Sequence, residues 1–554
     1  MLGRSPGPDI DRLSLRWHLP ASRRSSACEA TQHDAGRAER PQPASRGLRV
    51  FLDSVPRSHA NFPAMERFET GTSQPFDLTS ELETLRLAAD QVLSRTAGAP
   101  LTGGNHVRVL RDAAENYPAW LAAIRAAERS VLFECYIFRD DEVGREFVAA
   151  LVERAQAGVA VRVIYDWLGT SGARSLFRPL VDAGGEVRCF NPPRFDSPLG
   201  LLTRDHRKMI AVDGRVGFVT GLCVSAKWLG DPRRRLEAWR DTGVEIRGPA
   251  VPQLERAFGQ VWEAIGDPLP EAALTAVGTV PAEGSVALRV IASAPNTARV
   301  FRLDQLIAAR ARERLCLTDA YYVGVTPYVH ALCAAANDGV DVRLLVPGAS
   351  DIPVVSRLSR AGYRTLLESG VRVFEWTGSM LHAKTAIADR RWARVGSTNL
   401  NFASFLANYE LDVALEDEAV VDEMARMYEA DLGRADEIVL SRRHRARRSG
   451  VAAPRGERTR RALSGSASRA AAGALTVGAA VGAALTNRRV LGPAEASLLA
   501  TTGAILLLVA VVGVLWPPLL AWPLALFAAW IAVVMLLRAR RLRRLRGHPP
   551  NAEI

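Results

Sequence analysis

Two segments of the chain carry the same order of chemically competent residues. The first is His206-Arg-Lys208-Met-Ile-Ala-Val-Asp213 and the second is His382-Ala-Lys384-Thr-Ala-Ile-Ala-Asp389. Imidazole is a nucleophile and a proton carrier near neutral pH, and an ammonium two residues on can neutralise an oxyanion. Lysine is scarce: of 71 basic residues only Lys208, Lys227 and Lys384 are lysine. Where arginine has replaced lysine almost everywhere, the lysines that remain mark positions needing a compact ammonium. Two of the three lie in the repeated motif. The competing reading, polar residues on two surface strands, must explain the same spacing twice.

Both motifs read as strands, so His and Lys, two residues apart, share a face. Asp213-Gly214 is a hairpin-turn signal, and Asp389-Arg390-Arg391 takes the same place. Each Asp either fixes its turn or acts directly in catalysis. After the second motif, Ser397 and Asn399 of Gly396-Ser-Thr-Asn399 offer a hydroxyl and an amide to phosphate oxygens. The first copy reads Thr220-Gly221-Leu222-Cys223, with a weakly donating thiol where Asn399 stands. Two downstream carboxylates, Asp241 and Glu410, can each orient an imidazole or serve as ordinary structural acids. Tyr136, Tyr321 and Tyr322 end paired strands and either line the site or pack the core. Lys227 either lines the entrance to the site or is a solvated surface residue, and histidines such as His106 and His330 have no ligand spacing.

The frame that positions these groups is itself duplicated. The segment AGVAVRVIYD at 157–166 matches DGVDVRLLVP at 338–347. After an opening helix over 77–97, periodicity predicts helix Pro118–Glu128, strand Val131–Phe138, helix Glu142–Ala157 and strand Val159–Tyr165. The second copy runs helix Leu303–Arg312, strand Leu315–Tyr322, helix Pro327–Asn337 and strand Val340–Val346. The fold class is α/β: two facing lobes over 76–280 and 281–440, each a mixed sheet flanked by helices. Residues 1–75, rich in Arg, Ser, Pro and Ala, read as a disordered tail or as the product of a misplaced start before Met65.

The net charge of +12 calls for an anionic partner. Six scattered cysteines without a CxxC exclude a disulfide scaffold and argue against a zinc ribbon. Residues 441–495 read as a basic linker with an Ala/Gly-rich segment at 470–487, taken as interfacial. Ala496–Leu537 is a 42-residue run without a charge, split by Pro517-Pro518. It is expected to form a transmembrane hairpin over about 496–516 and 519–537. Arg-rich segments flank both ends, the second in the basic tail 538–554. They place both ends, and the α/β region, on the cytoplasmic side.

With its two motifs, the sequence resembles the phospholipase D superfamily. The stretches HRKMIAVDGRVGFVTG, WRDTGVEIRGPAV, LHAKTAIADRRWARVGSTNLN and NYEL resemble bacterial cardiolipin synthases, especially the shorter B type, over roughly residues 100–435. The resemblance implies one shared site in which His206 attacks the phosphodiester and His382 serves as acid and base. It implies that Lys208, Lys384 and Asn399 hold phosphate oxygens with help from Ser397, that Asp241 and Glu410 fix the imidazole tautomers, and that Asp213 and Asp389 complete the motifs. It implies no metal or other cofactor, an anionic phospholipid substrate such as phosphatidylglycerol converted to cardiolipin, and no nucleic-acid partner. The location implied is a bacterial cell membrane, in multi-pass form. Two departures stand out: the apolar hairpin is C-terminal, where many cardiolipin synthases have one at the N-terminus, and Cys223 replaces an Asn. Hydrolysis of phospholipid to phosphatidic acid, a metal-independent nuclease and a non-catalytic lipid-binding protein remain the alternatives.

Overall fold

Short runs of β-branched and aromatic residues alternate with amphipathic helices, and a computed structural model arranges them around one sheet. It describes residues 78–170, 173–193, 202–440, 446–448 and 493–546. The first half supplies β1 (Thr102–Arg111), β2 (Ser130–Cys135), β3 (Ala160–Asp166), β4 (Glu186–Phe190), β5 (Lys208–Val212), β6 (Val216–Thr220) and β7 (Thr242–Arg247). The second supplies β8 (Val286–Ser293), β9 (Arg314–Thr318), β10 (Asp341–Pro347), β11 (Arg372–Trp376), β12 (Thr385–Ala388), β13 (Trp392–Gly396) and β14 (Glu410–Glu416). β15 (Ala435–Leu440) and β16 (Ala446–Arg448) extend its edge.

Across the sheet, the first half runs β4-β3-β2-β5-β6-β7-β1 and the second runs β11-β10-β9-β12-β13-β14-β8 from the opposite side. The two orders mirror each other about the antiparallel β1–β8 pair. In each half the three outer strands are parallel and the next four antiparallel. This is a mixed α/β arrangement with helices over the sheet. The parallel strands β2 and β10 are buried almost throughout, as expected for strands covered on both faces. One core cluster draws on both halves, joining Met209, Phe258 and Trp262 to Leu411, Val413 and Met424. Two further clusters fill the helical layers of each half.

Local differences from the sequence reading have physical causes. The second helix is Asp112–Arg125, not Pro118–Glu128, and Pro118 lies inside it. Pro118 and Ala114, whose carbonyl loses its partner, are both on the exposed face, where water replaces the bond. The helix Glu142–Gln156 starts at an Asp141 cap, which accepts from Gly144 N–H at 3.0 Å, and is followed by Gly158 at φ +86°. β2 ends at Cys135, before Tyr136, and β9 ends at Thr318, so the tyrosines leave the sheet. Both motif histidines and Lys384 precede their strands, β5 and β12. Their placement therefore comes from the lead-in segments and not from strand alternation.

In the C-terminal region, helices span Pro493–Leu515 and Pro517–Arg546, separated at Trp516. Among the described residues, one helix is long and apolar enough to cross a membrane: Pro517–Leu537, 21 residues and 6% buried. The helix before it offers the shorter apolar stretch Leu506–Leu515. The structure thus gives one spanning-length helix where the sequence led us to expect a hairpin of two. The tail 1–75, the segment 470–487 and most of the linker lie outside the described residues.

Candidate active site

Each motif histidine is seated by the other half of the sheet. His206 N–H donates to Tyr409 O at 2.9 Å, and Tyr409 N–H donates to Arg204 O at 2.9 Å. In the same way His382 N–H donates to Arg240 O at 2.7 Å, and Arg240 N–H to Met380 O at 3.0 Å. These parallel bridges set each lead-in one residue ahead of an acid from the opposite half. His206 Nδ1 lies 2.9 Å from Glu410 Oε2, and His382 Nδ1 lies 2.8 Å from Asp241 Oδ2. The sequence offered both acids as possible orienters; their crossed assignment required the fold. A carboxylate on Nδ1 fixes the tautomer that leaves Nε2 for chemistry.

Both imidazoles line one cavity, with Tyr136, Trp228, Trp239, Tyr321 and Asn399 among its walls. The Tyr136 ring is 4.9 Å from the His206 ring and the Tyr321 ring 5.8 Å from that of His382. Lys208 Nζ sits 5.3 Å from the Tyr136 centroid and Lys384 Nζ 5.7 Å from that of Tyr321. Each ammonium also bonds the carbonyl of its own histidine. Lys384 Nζ approaches the His382 ring nitrogens at 2.9 and 3.1 Å.

Burial dominates the electrostatics. It pulls His206 down to about 4, helped by Lys208 and opposed by Glu410. It pulls His382 down to about 3, helped by Lys384 and opposed by Asp241. Lys384 falls to about 8 through burial and the charge of Lys208. Burial alone would raise Asp241 and Glu410, but their histidine partners and the lysines hold both below the ordinary carboxylate range. The site is therefore a pair of neutral imidazoles, each on an ionised carboxylate, beside buried ammonium groups. It is suited to receive an anion.

The structure places the remaining motif residues as follows. Asp213 and Asp389 sit at the far ends of β5 and β12, in left-handed turns at φ +56° and +52°. Asp213 accepts from the backbone N–H groups of Glu128, Arg129 and Ser130 at 2.8–2.9 Å. Asp389 accepts from those of Arg312, Glu313 and Arg314 at 2.8–3.2 Å. The distance of a strand separates them from the imidazoles, and they clamp the start of β2 and β9. Ser397 does not line the cavity: its hydroxyl donates to Glu410 Oε2 at 2.5 Å. Its counterpart Gly221 leaves room for Asp241, whose Oδ1 lies 2.2 Å from where a Cβ would stand. Asn399 does line the cavity, with its buried Oδ1 unpaired among the described residues. Cys223, in the matching place, is buried in the first-half core.

Some site residues escaped the sequence reading. Trp228 donates to Asp241 Oδ2 at 2.9 Å and packs edge-on to His382 with centroids 5.2 Å apart. Asn408 donates to Glu410 at 3.3 Å. Asn408 had a signal in the NYEL stretch; Trp228 had none.

The family described as "Cardiolipin synthase, PLD-like domain" matches residues 120–262 and 304–432. Cardiolipin synthase A of Pseudomonas aeruginosa is 34% identical over 368 residues, 65% of this chain and 73% of the relative. The chain belongs to the cardiolipin synthase family. A cardiolipin synthase of Halalkalibacterium halodurans is 33% identical over 352 residues, 62% of this chain and 69% of the relative. The phosphatidylserine synthase of Haemophilus influenzae shares the fold, with a TM-score of 0.51 at 14% identity, covering 63% of this chain and 92% of that one. The protein is an enzyme of the phospholipase D superfamily, of the phosphatidyltransferase kind.

Proposed function

We propose that the enzyme joins two anionic phospholipids, with phosphatidylglycerol as donor and acceptor, to give cardiolipin and glycerol through a phosphohistidine. The observation that carries this reading is the pair of neutral imidazoles, each on a carboxylate from the opposite half, facing one cavity.

His206 Nε2 attacks the phosphorus of the donor, forming a P–N bond while the P–O bond to the leaving glycerol breaks. The phosphodiester anion raises the pKa of the nearby His382, which then gives its proton to the departing alkoxide. In the second half-reaction His382 takes the proton of the acceptor hydroxyl, the new P–O bond forms, and the P–N electron pair returns to His206. Lys208, Lys384 and Asn399 stabilise the charge on the non-bridging oxygens. Asp213 and Asp389 hold the frame, and Ser397 holds Glu410.

The same machinery would pass the phosphatidyl group to water if the cavity admitted it. The apolar wall formed by Tyr321, Val323, Val355 and Leu358 favours a lipid acceptor over water. The exposed apolar surface of Pro517–Leu537, followed by Arg538, Arg540, Arg541, Arg543 and Arg544, supports a membrane-anchored enzyme with its α/β region at an anionic cytoplasmic surface. A second span over about 496–516 would make it multi-pass. The division at 76–280 and 281–440 belongs to this same reading.

The test supplies labelled phosphatidylglycerol to membranes holding the full chain, with EDTA, beside a His206→Ala/His382→Ala variant. Cardiolipin formed by the unaltered enzyme alone is the expected result. Phosphatidic acid as sole product would replace transfer with hydrolysis, and no lipid product would end the lipid-enzyme reading.

A further inference from the structure

The reacting groups are arranged as two matched sets, yet the cavity around them is lopsided. Arg139 N–H donates to Val224 O at 3.0 Å, and Val323 N–H donates to Leu400 O at 3.1 Å. Val224 follows Cys223 and Leu400 follows Asn399, so Val323 holds in the second half the place Arg139 holds in the first. Counting on from the same matched segments, Ala403 stands where Lys227 stands. All four residues line the cavity. One wall thus carries two cations, and the corresponding wall carries a valine and an alanine.

The cationic wall is built, not incidental. Phe138 and Val224 form a bridge that lays residues 137–139 beside 224–227. Asp141 then accepts from Ser225 Oγ and Ala226 N–H, both at 2.9 Å, and Ser225 caps Lys227. Lys227 Nζ rests 5.7 Å from the Trp239 centroid. Among the described residues no carboxylate pairs with Arg139 or Lys227. The one carboxylate on the second-half wall, Asp351, takes the Tyr321 hydroxyl at 2.9 Å. An anion would be drawn to the first-half wall and repelled from the other. Lys227, the lysine outside the repeated motif, thereby acquires a use.

We propose that Arg139 and Lys227 form a second phosphate subsite, which receives the phosphodiester of the acceptor lipid and selects an anionic acceptor over a neutral alcohol. The inference rests on the phosphatidyl-transfer reading above and adds residues to it. In the transfer step the acceptor hydroxyl forms the new P–O bond, its proton passes to His382, and the P–N bond electrons return to His206. The acceptor's own phosphate takes no part in this bond exchange. It lies one glycerol away from the reacting phosphorus and needs its own counter-charge, since Lys208 and Lys384 serve the phosphate being transferred.

The test uses the full chain in vesicles of labelled phosphatidylglycerol with butanol present as a competing neutral acceptor. In the Arg139→Gln/Lys227→Gln variant, the ratio of cardiolipin to phosphatidylbutanol is expected to fall roughly tenfold, as lost charge-assisted contacts predict. The charge-keeping variant Arg139→Lys/Lys227→Arg should recover most of that ratio. An unchanged ratio in the glutamine variant, or no recovery in the charge-keeping one, overturns the subsite. A binding arm separates this inference from the transfer reading. With His206→Ala as background, the doubly charged headgroup bis(glycerophospho)glycerol should bind more tightly than singly charged glycerophosphoglycerol, and the glutamine substitutions should erase the preference. If the unaltered enzyme made neither lipid product, transfer would fail while this arm still decided the subsite. Equal binding of the two headgroups would overturn it.

Discussion

His206 Nδ1 and Glu410 Oε2 lie 2.9 Å apart although 204 residues of chain separate them. The reciprocal pair, His382 and Asp241, spans 141 residues. Neither half therefore holds a complete imidazole–carboxylate pair, and each pair is assembled at the seam between them.

Replacing either histidine should abolish turnover. We expect His206→Ala or His382→Ala to lower kcat at least roughly 10³-fold, with the double variant scarcely worse, because groups that act as a unit are not additive. Initial rates of cardiolipin formation check this. A double variant worse by the product of the two single effects would indicate independent roles.

The crossed carboxylates should matter through tautomer and charge. Glu410→Gln and Asp241→Asn are each expected to lower kcat about 10²-fold while leaving the far-ultraviolet circular dichroism unchanged. Rates within twofold of the unaltered enzyme would show that the acids do not orient the imidazoles.

The turn aspartates should behave in the opposite way. Asp213→Ala and Asp389→Ala each strip a side-chain acceptor from three backbone N–H groups. A loss of about 2–3 kcal/mol in unfolding free energy is expected for each, with activity per folded molecule largely kept. Denaturant titration beside a rate assay separates the two effects. Full stability with no activity would return these residues to the catalytic set.

The rate should depend on pH through two limbs. Below about 4, His206 takes up a proton and loses the lone pair that the proposed mechanism aims at phosphorus. Above about 8, Lys384 loses the proton that makes it a counter-charge. The profile of kcat/KM, which reports the free enzyme, is expected to decline through the neutral range, because His382 must first take up the proton it donates, and to steepen at an alkaline limb near 8. Lys384→Arg, whose charge persists, should move that limb upward. An alkaline limb unmoved by this substitution would assign it to another group.

The family was legible in the sequence because His-x-Lys-x4-Asp occurs twice with scarce residue types. The α/β class and the duplication were legible because 157–166 and 338–347 share the same Gly-Val-x-Val-Arg core and run on in apolar residues. The crossed pairing was not, because the Tyr409 and Arg240 bridges join segments far apart in sequence. The partner of Ser397 was not legible, because a hydroxyl near a motif looks the same whether it faces a ligand or a neighbouring carboxylate. Strand ends were placed too far along: Tyr136 has high β propensity, yet tertiary contact with His206 draws it off the sheet. Trp228 left no signal, since its indole N–H finds Asp241 only once the loop has folded.

The mirrored strand orders about β1 and β8 have an evolutionary side. A site assembled from two identical copies must carry the same residue on both walls, because a two-fold axis permits nothing else. Here both halves belong to one chain, so a codon can change in one without changing in the other. Arg139 where the other half has Val323, and Lys227 where it has Ala403, are differences that two identical copies could not hold. Joining the halves freed the two sides of the cleft to specialise, one for charge and one for hydrocarbon, while the paired histidines stayed alike.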